Sequence, residues 1–387
     1  MWRLWSGFVI LIYSFINVYT GIRVLALARF FLPSFRAWIF WPVYILICYS
    51  YIISFFLRSG WLKPFRDVSM FSLPTVLYFF FALLLFDLLR LVLKYTNPSL
   101  LTPTFALIGT GVALTLAVLA MCCGVVNARL IRTVHYSVSL EKTSTLPSMR
   151  VALISDLHLG GTVDRRWTAK VVDAVNRANP DLVCFTGDNF DSGIDALKDH
   201  EGVSAELLRL KAPLGVFGCP GNHDVDRLSI DSRGGATSNR INIFKENAGI
   251  RILMDETVFL ADSFYLIGRR DVRPIGGSNV RKSAAELVAP LDLSKPVIIL
   301  DHQPVDYRQL DEAGVDLIFS GHTHAGQFFP GNLITKQLFR REGSVHYGHW
   351  RGKIAQGIIS SGAGVWGPPI RIATGSEVVI VDIKFGK

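Results

Sequence analysis

Four long stretches of this sequence carry no charge. Residues 4–22, 37–57, 68–86 and 95–128 contain no Asp, Glu, Lys or Arg, and apolar side chains fill most of each. A helix needs about 20 apolar residues to cross the hydrocarbon core of a bilayer. The pattern therefore predicts four transmembrane helices, near 5–26, 38–57, 70–93 and 104–127. A cleavable signal peptide would explain the first alone, and buried helices of a soluble protein would have to explain the rest. Four such segments in a row favour membrane spans.

Charge divides the chain at the same place. Residues 1–133 hold eleven Lys and Arg against Asp67 and Asp87 alone, a net of +9, whereas residues 134–387 hold 29 basic and 29 acidic residues. The whole formal charge of +9 thus belongs to the membrane part, and the high pI is no sign of nucleic-acid binding. With four spans, the N-terminus, the loop near 58–69 and the C-terminal domain share one side. That side carries Arg3, Arg58, Lys63, Arg66, Arg129 and Arg132; the other carries Arg23, Arg29, Arg36 and Lys94, with Arg90 able to snorkel towards it. Under the positive-inside rule the larger group tips the C-terminal domain to the cytoplasm. Asp87 and Arg90, three residues apart on the third span, read as a paired couple. The five cysteines show no CxxC spacing, so neither a disulfide framework nor a thiolate metal site is expected.

From residue 134 the pattern becomes strands alternating with amphipathic helices. VHYSVSL, RVALISD, PDLVCFTGD and GVFGCPGNHD read as strands, as do PVIILDHQP, VDLIFSGHTH, IAQGIISSGAG and SEVVIVDI. RRWTAKVVDAVNRAN, SAELLRLKA and NRINIFKENAG read as helices, and RILMDETVFL with FYLIGRRD as a strand pair. Strand–helix alternation with several consecutive strands predicts two packed sheets with helices outside. The expected domains are 1–133, the four helices, and 134–387, an α/β domain.

GHTHAGQ, residues 321–327, sets two histidines one residue apart between glycines, directly behind an apolar strand. One imidazole there reads as a core residue; two, where Gly321 and Gly326 let the backbone turn, point to metal ligands. Other strand ends deliver matching donors. RVALISD leads into Asp156 and His158, PDLVCFTGD into Asp188, GVFGCPGNHD into Asn222, His223 and Asp224, and PVIILDHQP into His302; His322 and His324 complete the set. Open sheets place their ligands at the C-terminal edge of strands. Five of the nine histidines fall in these motifs. Imidazole, carboxylate and amide donors without thiolate suit Mn, Fe, Zn or Mg. Two such ions about 3.5–4 Å apart can clamp the entering and leaving oxygens of a displacement at phosphorus, and lower the pKa of a shared water towards about 7.

In this order the motifs DxH, GD, GNHD, H and GHxH resemble the calcineurin-like metallophosphoesterase family, over roughly residues 134–387. The closing stretch, IISSGAGVWGPPIRIATGSEVVIVDI, resembles its bacterial-type, often membrane-anchored branch. The resemblance implies a β-sandwich flanked by helices and two divalent ions. Asp156, His158, Asp188 and His324 would hold one; Asp188, Asn222, His302 and His322 would hold the second, with Asp188 bridging. His223 would protonate the leaving oxygen, oriented by Asp224, a contribution of typically 10²–10⁴-fold. Ala325 stands where the family usually has glycine, which is expected to change the local loop geometry. His346 and His349 are expected to be rim residues; Phe328, Trp366 and Arg371 either line the substrate mouth or pack internally.

The implied function is hydrolysis of phosphoester bonds by a multi-pass membrane protein, with the lipid bilayer and a lipid- or nucleotide-linked phosphodiester or pyrophosphate as partners. GDNFDS and GNHD differ from the GDxxDR and GNHE of protein Ser/Thr phosphatases, and an electrically balanced domain disfavours a nuclease. The rival reading is a catalytically silent sensing or binding module on the same fold, but degenerate enzymes lose ligands and this sequence keeps the set.

Overall fold

Helices make up the first of two compact units, Met1–Gly124; the second is Val125–Lys387. The computed structural model describes residues 2–54, 63–191, 197, 199–224, 247–272, 281–341 and 343–386. Along the chain α1 (Trp2–Phe31), α2 (Ala37–Ser54), α3 (Lys63–Ser69), α4 (Ser72–Thr96) and α5 (Pro103–Ala128) follow one another. Segments Gly7–Phe31, Ala37–Ser54, Phe65–Thr96 and Pro103–Ala128 are long and apolar enough to cross a membrane. Their outward faces are apolar: Phe15, Leu85 and Ile108 are 79%, 67% and 60% exposed. A water-soluble bundle would hide such side chains.

Between α1, α4 and α5 lies a polar network that the sequence reading reduced to one pair. Arg90 does donate to Asp87 at 3.1 Å, but Arg23 Nη1 reaches both oxygens of Asp87 at 2.9 and 3.0 Å. The Tyr19 hydroxyl adds a bond of 2.6 Å, and Arg23 Nη2 reaches Thr110 Oγ1 at 3.1 Å. Removed from water, a carboxylate collects every donor within reach.

Among its described residues the second unit contains two six-stranded sheets. One has the order β1 (Ile131–Thr143), β12 (Ser376–Gly386), β2 (Ser148–Ile154), β3 (Leu182–Thr186), β4 (Val216–Cys219), β5 (Arg251–Ile252). The other runs β10 (Gly348–Arg351), β11 (Gln356–Ile359), β9 (Leu317–Ser320), β8 (Val297–Leu300), β7 (Phe264–Gly268), β6 (Glu256–Leu260). β2–β3–β4 and β7–β8–β9 are parallel runs. Their sequences read as unbroken apolar stretches because both faces are buried. Val151 and Leu153 of β2, Leu182 and Cys184 of β3, Ile298 and Leu300 of β8, and Leu317 and Phe319 of β9 fill the space between the sheets. Their neighbours in sequence point the other way. Ala152, Ile154, Val183 and Phe185 meet the apolar face of α6 (Arg165–Arg177) and residues of α7 (His200–Leu207). Val297, Ile299 and Ile318 meet α8 (Ala284–Val288) and α9 (Tyr307–Glu312). The layers are helix, sheet, sheet, helix, the α/β fold expected from the alternation. α6 begins where Asp164 accepts the Trp167 backbone N–H at 3.0 Å, an N-cap that fixes the helix start.

One expected strand divides. RILMDETVFL gives β5 to the first sheet and β6 to the second, with the chain crossing at Asp255, whose φ is 56°. The Asp255 carboxylate accepts the backbone N–H groups of Arg270 and Lys282 at 2.9 and 3.1 Å and so holds the crossing in place. The helix expected over NRINIFKENAG falls largely outside the described residues. β10, α8, α9 and a last helix, α10 (Gly331–Arg341), have no counterpart in the sequence reading.

Candidate metal centre

Each expected ligand follows the end of a parallel strand. Asp156 and His158 lie beyond β2, Asp188 beyond β3, Asn222 and His223 beyond β4, His302 beyond β8, and His322 and His324 beyond β9. To present these side chains the chain must turn at once, and the backbone records it. Asp156, His158, Asp188, His322 and His324 all hold left-handed φ, between 49° and 71°. Such backbone costs roughly 1–3 kcal/mol per residue and persists only where the surroundings enforce it.

Close packing of the two sheets enforces it here. A Cβ on Gly321 would lie 1.7 Å from Ser155 Oγ and 2.2 Å from Asp156 Oδ2, so only glycine brings the β9 end against the β2 end. The backbone N–H of His322 then donates to both oxygens of Asp156, at 3.0 and 2.9 Å. The N–H of His223 donates to Asp188 Oδ1 at 2.7 Å.

The expected ligands gather in two groups. Asp156, His158 and His324 form one and Asp188, His302 and His322 the other, and within each the ligand atoms lie within 4.8 Å of one another. In the first, His158 Nε2 and His324 Nε2 are 3.0 Å apart, and Asp156 Oδ1 is 3.5 Å from His324 Nε2. Asp188 Oδ2 lies 3.8 Å from His158 Nε2 and 3.1 Å from His302 Nε2, so this carboxylate reaches both groups. Asn222 Oδ1 joins the second at 3.2 Å from His302 Nε2. Apart from the half-buried His322 rim, these side chains are buried.

The donor set fits divalent ions on physical grounds. His302 Nδ1 faces the Thr186 carbonyl at 2.7 Å and must donate to it, which turns the Nε2 lone pair towards Asp188 and Asn222. Three acceptors converging without a donor call for positive charge at their centre. The carboxylates draw positive charge to the same place: burial alone would lower the His302 pKa, yet Asp188 and Asp156 hold it well above the ordinary value, a pull that either a proton on Nε2 or a metal ion would answer. At His324, burial and then the neighbouring His158 and Arg371 hold the imidazole well below it, neutral and able to offer a lone pair. Asp188 is held below the usual carboxylate range, the imidazoles of His302 and His158 overcoming its burial.

The Asp224 carboxylate, expected to orient His223, is engaged by backbone and amide donors. It accepts from the backbone of Asn189, Phe190 and Gly221 at 2.9, 3.1 and 2.9 Å, and from Asn189 Nδ2 at 3.2 Å. Burial and the nearby Asp188 charge push it up to about 6. The acceptor facing His223 Nδ1 is the Asp191 carbonyl, 3.0 Å away. The Asp191 side chain also lies 3.5 Å from His158 Nδ1. Sequence reasoning gave Asp191 no role; the only signal was an acid three residues after Asp188.

Arg371 packs internally and is fully buried. Its Nη2 donates to the carbonyls of Ser361 and Gly364 at 2.7 and 2.8 Å, and its Nη1 to that of His324 at 3.3 Å, tying the C-terminal loop to the ligand loop. Thr323 donates to the His346 carbonyl, and His349 pairs with Gln356 at 3.1 Å between β10 and β11, so neither histidine joins the cluster. Phe328 is half-buried, and the Trp366 ring centre lies 6.4 Å from that of His223.

Two sheets that pour carboxylates, imidazoles and an amide around one shared aspartate define a metal-dependent phosphoesterase. The profile of the calcineurin-like phosphoesterase family matches residues 149–326, which contain every ligand candidate. A metallophosphoesterase of Campylobacter jejuni is 26% identical over 98% of both chains. One from Aquifex aeolicus is 30% identical over 66% of this chain and 92% of its own. A Danio rerio transmembrane protein with metallophosphoesterase domain is 28% identical over 71% of this chain and 62% of its own. The chain belongs to the calcineurin-like metallophosphoesterase family, whose members use two divalent metals, and it is a membrane protein.

Proposed function

We propose that this protein is a membrane-anchored, dinuclear-metal phosphoesterase acting on a phosphodiester or pyrophosphate carried by a lipid or a nucleotide. The observation that carries the reading is the convergence of donors from both sheets on Asp188. In this assignment Asp156, His158, Asp188 and His324 hold one ion, and Asp188, Asn222, His302 and His322 the other. Held there, two ions would supply the positive charge for activating water and for stabilising the charge that develops at phosphorus.

The remaining roles belong to the chain itself. His223 gives a proton to the leaving oxygen; the Asp191 carbonyl engages Nδ1, which leaves Nε2 to exchange that proton. Asp224 is a positioning residue: it clamps the amides of the Asp188 and Asn222 loops to each other. The lipid-linked substrate class is favoured because four apolar helices keep the site close to a bilayer. A cytoplasmic site is supported by the basic flanks. Arg23 and Arg90 both turn onto Asp87, which leaves Arg29, Arg36 and Lys94 against six basic residues on the other side.

The test is hydrolysis by Mn-loaded, full-length protein of an aryl phosphodiester and of a panel of phospholipids and nucleotide-linked lipids. Asp188→Asn is expected to abolish turnover of every substrate cleaved. Undiminished turnover in that variant would place the chemistry elsewhere.

A further inference from the structure

Helix α10 is built inside out. A surface helix normally turns its apolar stripe to the core. α10, GNLITKQLFRR, buries Phe339, while Leu333, Ile334 and Leu338 are 54%, 65% and 51% exposed. At 3.6 residues per turn these three fall on the outward half of the helix, with Gln337 and Arg341 between them. Lys336 and Arg340 lie beside Leu333 and Arg341 stands among the three, and the helix contains no acidic residue. Single exposed apolar residues need no explanation, whereas a stripe of them beside cations does.

The stripe adjoins the metal centre. Gln327, which closes the turn after His324, donates from Nε2 to the Trp366 carbonyl at 2.8 Å and accepts the Trp366 backbone N–H at 2.9 Å. Trp366 is itself 54% exposed, with its ring beside that of His223. α10 begins four residues after Gln327, and backbone contact between Gly326 and Asn332 fixes it to the ligand loop: a Cβ on Gly326 would meet Asn332 N at 2.2 Å. Both α10 and Trp366 lie beyond the family-matched segment, residues 149–326.

We propose that α10 and Trp366 form a bilayer-contacting surface beside the metal centre. Leu333, Ile334, Leu338 and the Trp366 ring enter the boundary between headgroups and acyl chains, and Lys336, Arg340 and Arg341 pair with anionic headgroups. Charge selects this occupant: three cations against the single Glu342 that follows the helix suit an anionic lipid surface, and a half-exposed indole suits its interface. The chain brings its own bilayer, because the four apolar helices hold one at high effective concentration. The consequence for catalysis rests on the lipid-substrate reading: the site then meets a phosphoester presented from the membrane surface.

The experiment places a photo-reactive benzoylphenylalanine at Ile334 in the full-length protein, reconstituted in nanodiscs of phosphatidylcholine with phosphatidylglycerol. Ile108 of α5, 60% exposed, is the lipid-facing reference, and Leu208, 61% exposed beyond α7, is the solvent-facing one. On irradiation, lipid adducts at position 334 should approach the Ile108 level and exceed the Leu208 level several-fold. The combined changes Lys336→Glu, Arg340→Glu and Arg341→Glu should cut the adduct at 334 several-fold while leaving that at 108 unchanged. Adducts at 334 no higher than at 208, adducts to protein in place of lipid, or indifference to the charge reversal would overturn the proposal. The wild-type substrate panel decides the other reading separately: lipid adducts without cleavage of any lipid phosphoester sink the substrate class and leave the contact standing.

Discussion

His223 and Asp191 separate two ways in which activity can be lost. His223→Ala removes a proton donor and no ligand, so kcat should fall by about 10²–10⁴-fold with metal content unchanged. Asp191→Ala keeps the carbonyl that engages His223 but deletes the carboxylate 3.5 Å from His158 Nδ1. Groups that orient a metal-binding imidazole are worth about 10–100-fold in metal affinity, so this variant should need more metal to reach its plateau rate. Metal titration of both variants distinguishes these outcomes; equal metal affinity in Asp191→Ala and wild type would remove Asp191 from the account. Ala325 offers a third test. It holds φ 50° where glycine would be unstrained, so Ala325→Gly should leave the unfolding free energy equal or raise it, by about 1 kcal/mol at most. A clear loss of stability would show that its buried methyl group matters more than its backbone. The candidate ligands are legible because each is a polar residue closing an apolar run. Asp191 and Arg371 were not, since one acts through a side chain and a carbonyl at once and the other through carbonyls that no motif encodes.

At the scale of elements, the membrane helices and central strands could be read directly, because burial in lipid or between layers leaves long apolar runs. Elements whose pattern breaks that link escaped. β10 is short and half-exposed, α10 turns apolar residues outward, and RILMDETVFL crosses between sheets through a left-handed aspartate. The Asp87 network was half legible: its local partner Arg90 shows in the sequence, but Tyr19, Arg23 and Thr110 come from other helices. Asp87→Asn leaves Arg23 without its counter-ion. The loss should be about 1–3 kcal/mol, between polar contacts in membranes and fully buried ion pairs. Thermal unfolding in detergent would register it, while an unshifted midpoint would mean that the network is dispensable for stability.

The chain joins a segment of net charge +9, residues 1–133, to an electrically balanced remainder, and this asymmetry predicts its topology. Protease added to inside-out membrane vesicles should cleave residues of the second unit, and vesicles of the opposite orientation should protect it. The reverse pattern would overturn the cytoplasmic assignment. Ions bound across two sheets should also stabilise that unit by mass action, about 2.7 kcal/mol at a hundredfold excess over Kd, so chelation should lower its unfolding temperature. The most direct measurement is anomalous diffraction from crystals of Mn-loaded protein. The account predicts two peaks about 3.5–4 Å apart, one on each side of the Asp188 carboxylate. A single peak, or a pair to which Asp188 contributes no oxygen, would contradict it.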